Sequence, residues 1–544
     1  MRSIALVFVL VLMVPLLPAA EDPKLSDGFP RRALFIQVNH PLYLNPLTTG
    51  TPLRNREAID RFAATLRVPT WRTNNQLFIL SDNLPPPDDR VPTKSAILAA
   101  IRNFCETSRA QDRILVYFRG HAFEKSDKAY FAPVEGEAND LKTLIPVADI
   151  YDLLKGCEAT QKLVVWDVCP RNPERAAFRP GSGPLTLELL LALAITPGGV
   201  QAVIPCLPSE YSLEYTTPKG DAGSVAGSTL FDALRKGFEE NAATKKPGPT
   251  DAIPIAEAFP MVEKYLDSAA KALGAKQTPK LVGKPHAMLA AIDPKEALPA
   301  AILFPVPKSP AIAEVRAILQ ELALPPLVVG ESVDPLPLLS FDPLTLKPYL
   351  PDASIDNIFR DAEKYPLRVV TLRALQTVRD TMRSAGPKDA KLIVSLNSPV
   401  TEQVKRAVPG AQAPMAVAIA KLEDELTAME AIEKLRAKEP KRWQAHYDYT
   451  VGQVRLRLAL LNEYNLALGN VRTESLPELP TGFTGWRLTH TDKMLSKKNV
   501  QDMAEAARKA LEAVIAANKG TPWEVLAKRA MLTPPGLRWE PVVK

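Results

Sequence analysis

Short apolar runs closed by loop residues alternate with helix-spaced apolar positions through the first half of the chain. Ala33 to Asn39, Gln76 to Ser81, Arg113 to Phe118, Lys162 to Trp166 and Val200 to Ile204 each have the length and apolar density of a buried parallel strand. Between the second and third runs, Thr93 is placed as an N-cap, with Ile97, Leu98, Ile101 and Phe104 at helical spacing behind it. Ile150 to Leu154 and Leu230 to Phe238 also read as helices. Strands alternating with helices over residues 31–292 predict an α/β domain, a mainly parallel sheet with helices on both faces.

The pattern then changes twice. Residues 293–351 are crowded with proline, among them Pro294, Pro299, Pro305, Pro307, Pro325 and Pro326, which predicts a stiff linker or an irregular connecting layer. Beyond it, Met415, Ile419, Leu422, Leu426 and Met429 recur at heptad spacing, as do Tyr447, Val451, Val454, Leu458 and Leu461. Pro440 separates the two series, so an antiparallel helical hairpin is expected. A further helix is expected from Val500 to Ala517, ended by Gly520. Residues 352–544 are thus a mostly α-helical module without a clear repeat period, and its foreseen role is to place the first domain or bind a protein partner.

Composition narrows the picture. A chain of 544 residues is too long for one core, and its 52 prolines are roughly twice the usual share. A net charge of +6 with no Lys/Arg run argues against a nucleic-acid partner. Arg2, the apolar stretch Ile4 to Val14, Pro15 and Pro18, and then Ala19 and Ala20 have the layout of a signal peptide over residues 1–20. An exported mature chain with no membrane segment is therefore predicted. The apolar stretch 185–196 contains Glu188 and stops at Pro197, as core does. The four cysteines, Cys105, Cys157, Cys169 and Cys206, are too few for a disulfide scaffold. No Cys/His pair has ligand spacing, so neither a metal nor a cofactor is implied.

In such sheets reactive groups gather beyond the carboxyl ends of the strands. The third strand runs into Gly120-His121, the fourth into Asp167-Val168-Cys169, and the fifth ends near Cys206. A thiol attacks as thiolate and needs a base, and a histidine about 50 residues upstream of a cysteine, at the same sheet edge, can supply it. His40, His286, His446 and His490 lack such a context. A Cys206 strand beside that of Cys169 would bring the two thiols close enough for an inactivating disulfide, and a simply packed cysteine explains the position equally well.

The stretch Ile114-Leu-Val-Tyr-Phe-Arg-Gly-His-Ala122 resembles the strand-plus-Gly-His-Gly motif of caspase-like peptidases, and Leu163-Val-Val-Trp-Asp-Val-Cys169 resembles their Asp-x-Cys nucleophile motif. Ala129 to Glu135, Cys206 to Glu214 and Gly227 to Leu234 are similar to further elements of metacaspases and paracaspases, in the family's order. The resemblance implies a cysteine endopeptidase with Cys169 as nucleophile, His121 as base and the Ala122 and Cys169 amides as oxyanion hole. It also implies an S1 pocket floored by Asp167 and Glu214 that favours Arg, or Lys, in a peptide or protein substrate, and self-cleavage after Arg175. Ala122 stands where the family has glycine, and Pro170 follows the nucleophile. With those departures, a catalytically inactive caspase-like scaffold is the alternative function.

Overall fold

The computed structural model describes residues 31–47, 51–52, 59–63, 76–82, 91–110, 112–159, 161–171, 182–218, 224–245, 255–284, 318, 322, 324, 341–384 and 393–542. The expected signal peptide, Arg175, His286 and most of the proline-rich segment lie outside these residues.

The first domain is α/β. Its strands are β1 (Arg31–Gln37), β2 (Leu77–Ser81), β3 (Arg113–Lys125), β4 (Lys128–Phe131), β5 (Gln161–Cys169), β6 (Val200–Ile204), β7 (Glu214–Pro218), β8 (Ser224–Ser228) and β9 (Lys280–Val282). Its helices are α1 (Lys94–Glu106), α2 (Val147–Lys155), α3 (Leu187–Ala194), α4 (Thr229–Lys245) and α5 (Ile255–Ala272). The sheet runs β2-β1-β3-β5-β6-β9, parallel throughout except for the antiparallel edge strand β9. Side chains of a strand alternate between faces, and here both faces are covered. Ile36, Val116, Phe118, Val164 and Trp166 pack against α1, α2 and α3 on one face. Phe35, Tyr117, Val165 and Val203 pack against α4 and α5 on the other. That double burial is why the strands read as unbroken apolar runs. Thr93 does cap α1, its hydroxyl accepting from the Ala96 amide at 3.2 Å.

The two central strands are longer than expected. The apolar run of β3 stops at Phe118, yet the strand continues through Arg119, Gly120 and His121 to Lys125. Beyond His121 it pairs with β4, which doubles back through Ser126 and Asp127, both at positive φ as a tight hairpin turn requires. β5 likewise runs on to Cys169 itself.

The second module is mostly helical: α6 (Ile355–Arg360), α7 (Pro366–Ser384), α8 (Glu402–Ala431), α9 (Lys441–Arg472), α10 (Lys498–Ala517) and α11 (Pro522–Met531). α8 and α9 form the expected antiparallel hairpin. Tyr447 Oη donates to the Met429 carbonyl at 2.9 Å near the turn, and Gln412 Nε2 donates to Asn465 O at 2.9 Å near the far end. α9 is covered nearly all round, with Trp443, Val454, Leu458, Leu461 and Leu468 all inside. The periodicity did not signal the antiparallel sheet of β10 (Ser395–Asn397), β11 (Gly485–Thr491) and β12 (Gly536–Val542). Within the proline-rich stretch, Ile318, Leu322 and Tyr349 join the core of this module, and Tyr349 Oη donates to Asn518 Oδ1 at 3.0 Å.

α11 touches the first domain. Val525 joins the core on the α1–α3 face, Lys528 Nζ lies 2.7 Å from Glu137 Oε1, and the same ammonium sits 5.7 Å from the Tyr43 ring centre. Among the described residues no helix is long and apolar enough to cross a membrane.

Candidate active site

β3 and β5 lie in parallel register, with Tyr117 beside Val165, Arg119 beside Asp167 and His121 beside Cys169. The two-residue repeat of a strand puts all six on the α4/α5 face, at the carboxyl edge of the sheet. Cys169 Sγ is 3.8 Å from His121 Nδ1. Both ring nitrogens face main-chain carbonyls, which can only accept; Nε2 lies 2.6 Å from Asn45 O, closer than Nδ1 lies to its own, so the neutral ring is assigned its proton on Nε2, which leaves the Nδ1 lone pair toward the sulfur. Nδ1 is also 3.2 Å from the Cys169 carbonyl oxygen. That oxygen repels a bare lone pair and attracts an N–H, so it favours the ring once it has taken the thiol proton.

Both partners are buried, His121 at 1% and Cys169 at 6% exposure. Burial pulls the imidazole pKa below its ordinary value, against the opposing effect of the Asn45 carbonyl. Burial, and then the negative charge of Glu214, pushes the thiol pKa up, while a hydrogen bond from Ser182 lowers it. The resting dyad is therefore neutral thiol and neutral imidazole. Just past the nucleophile, the Gly183 amide donates to Pro170 O at 2.8 Å and Arg171 bridges to Ser182. Pro170 thus serves as an acceptor through its carbonyl, a contact that needs no donor from it. Ala122 continues β3 opposite Phe131 and is absent from the residues with positive φ, so the side chain that replaces glycine causes no backbone strain.

One strand repeat back from the dyad lies a charged cluster. Asp167 Oδ1 accepts from Ser212 Oγ at 2.9 Å, and Oδ2 accepts from the Tyr117 hydroxyl and from Arg119 Nη1 at 3.5 Å. Arg119 Nη2 donates to Glu214 Oε1 at 2.5 Å, and its Nε donates to Asn39 Oδ1 at 2.8 Å. Asn39 is in turn held by Asp82, which accepts from its amide at 2.9 Å and its side chain at 3.1 Å. Burial alone would lower the Arg119 pKa; Glu214 and then Asp167 outweigh it and raise it, so the guanidinium stays charged. Burial pushes Glu214 up to about 7, with Asp167 adding to the rise and Arg119 and His40 opposing it. Glu214 Oε2 is buried with no hydrogen-bond partner among the described residues, which makes it the natural seat of that proton.

The structure therefore brings His121, Cys169, Asp167 and Glu214 together, as expected from the sequence, and adds Asn39, Asn45, Tyr117, Arg119 and Ser212. Arg119 was legible in principle: it stands two residues before the base, on the same strand face. Nothing in the sequence pointed to the Asn45 carbonyl, whose role depends only on where its loop passes. Both carboxylates assigned to a substrate side chain are engaged by Arg119. Cys206 follows the packed-cysteine alternative. It packs with Trp166 and Val168 on the opposite face from Cys169, and its thiol donates to Glu210 O at 3.5 Å, so the two sulfurs are not neighbours. All four cysteines are free. His446 packs against Trp443 and Trp523, and His490 meets the Pro534 carbonyl at 2.8 Å, both in the helical module. Among the described residues no group of three or more His, Cys, Asp or Glu is arranged to hold a metal ion.

No family model matches the chain, and neither does any curated protein. Among solved structures it is similar to protein GSU0716 from Geobacter sulfurreducens, at 12% identity over 47% of this chain and 95% of that one, with a TM-score of 0.29. A likeness that slight carries no argument about fold or function.

Proposed function

We propose that the first domain is a cysteine endopeptidase, and the observation that carries this reading is the orientation of His121. Its Nε2 is tied to a main-chain carbonyl while Nδ1 faces Cys169 Sγ at 3.8 Å. As a peptide carbonyl approaches, the thiol proton passes to Nδ1 and the sulfur bonds to the carbonyl carbon. Nδ1 then returns the proton to the leaving amine nitrogen as the C–N bond breaks, which leaves an acyl-enzyme. Water attacks the thioester with the same base, and the thiol is released with the proton. The Ala122 and Cys169 amides are the proposed oxyanion donors. No cofactor enters any step. Cleavage after Arg or Lys requires Asp167 and Glu214 to exchange the guanidinium of Arg119 for the substrate's cation.

The alternative, a silent binding scaffold in the same fold, has no need of a ring nitrogen aimed at a thiol. The two readings separate in a labelling experiment with an electrophilic peptide probe on the purified chain. The expected result is one probe per chain at Cys169, none on Cys169→Ala, and a rate at least about 100-fold lower for His121→Ala. Unselective labelling of Cys105, Cys157 and Cys206, or equal rates with and without His121, would remove the peptidase reading.

A further inference from the structure

We infer that Asp167, Glu214 and Asn39 form a guanidinium receptor that the chain fills with its own Arg119, so that the native site disfavours a basic residue at the cleavage position relative to an uncharged one. The substrate half of this inference rests on the peptidase reading; the receptor half does not.

The geometry is that of a bound arginine. Nε donates to Asn39 Oδ1 at 2.8 Å, Nη2 to Glu214 Oε1 at 2.5 Å and Nη1 to Asp167 Oδ2 at 3.5 Å. Donors at both ends of the planar fork are met by oxygens, two of them carboxylate, as recognition of guanidinium demands. The Tyr117 and Ser212 hydroxyls hold Asp167 in place from the other side. Arg119 is itself 6% exposed, so its positive charge is spent inside the protein rather than offered to solvent.

Position makes the receptor relevant to specificity. Arg119 and Asp167 each precede a dyad residue by two, which is about 7 Å along the strands and on the same face. The side chain next to an attacked carbonyl reaches about that far, so a basic side chain extended from the cleavage position would arrive at Asp167 and Glu214. It would find them taken. Arg119 is attached to the floor of the site and competes at an effective concentration far above any substrate's. Expelling it would leave a cation without its carboxylates, and admitting a second cation beside it sets like charges together.

The test uses the full chain, with Arg119→Ala as the emptied receptor and Arg119→Ala/Glu214→Gln as a second variant that leaves only one carboxylate uncompensated if the first does not fold. Methylguanidinium at millimolar concentration is expected to raise the Tm of the emptied receptor by several degrees and to leave wild type unmoved. Probes with Ala, Arg, Lys or Asp at the cleavage position are expected to label wild type fastest when the residue is Ala. In Arg119→Ala the Arg-to-Ala rate ratio is expected to rise at least tenfold. A wild type that already favours Arg over Ala tenfold overturns the inference. So does a folded emptied receptor whose Tm ignores methylguanidinium. Stabilisation by methylguanidinium with no labelling of Cys169 in any form upholds the receptor and removes the peptidase reading instead.

Discussion

Two carboxylates share one guanidinium beneath the dyad, and they do not share it evenly. Asp167 has hydrogen-bond donors on both oxygens, whereas Glu214 Oε2 has none among the described residues. Burial therefore falls hardest on Glu214 and lifts its pKa from 4.5 to about 7. A carboxylate whose pKa is raised on folding contributes stability that is complete below its unfolded value and is lost as pH climbs through the folded one. Between pH 5 and pH 8 wild type is thus expected to lose roughly 2–3 kcal/mol more unfolding free energy than Glu214→Gln. Urea melts of both proteins across that range check it, and parallel curves would show that Glu214 does not titrate there. The acidic pair was legible as residues because Asp167 belongs to a motif. Its state was not, because it depends on Arg119, Ser212 and an uncapped oxygen that only the fold brings together.

The elements that carry the dyad show where pattern reading stops. Runs of apolar residues marked the starts and apolar portions of β1, β2, β3, β5 and β6 well, since parallel strands buried on both faces leave no other signature. The same rule hid the ends of β3 and β5, where the buried residues include the polar Arg119, His121, Asp167 and Cys169. Gly120 marks the tightest point of that stretch. A Cβ built there would lie 3.0 Å from two ring carbons of Phe131 and 3.4 Å from Val38 Cβ, and the Phe131 ring is already packed edge-on against Phe118. Gly120→Ala is expected to cost about 1–3 kcal/mol of stability. By displacing β4 from β3 it is also expected to slow probe labelling of Cys169 at least tenfold. Unchanged labelling in a destabilised Gly120→Ala would show that the strand absorbs the methyl without moving His121.

At the scale of the whole molecule, the helical module reaches the chemistry through one loop. Lys528 on α11 holds Glu137 and lies over the ring of Tyr43, two residues before the Asn45 carbonyl that orients His121. An ion pair and a cation–π contact, each partly exposed, contribute about 1 kcal/mol or less apiece. Lys528→Ala is therefore expected to leave the fold intact, to quicken amide exchange over residues 42–47 and to slow labelling of Cys169 several-fold, with Lys528→Arg close to wild type. Exchange and labelling both unchanged would detach the module from the site. The loop itself is pinned by the Leu42 amide on Val134 O at 2.7 Å and the Leu47 amide on Asn39 O at 3.0 Å. Between those pins, the acceptor for His121 is main chain, and every amino acid has a carbonyl to offer. Any residue at position 45 brings such a carbonyl, whereas inserting or deleting one residue between Leu42 and Leu47 moves it by a residue's length. The aim of the base is inherited as a spacing rather than as a letter, and a comparison of sequences by residue identity would pass over it.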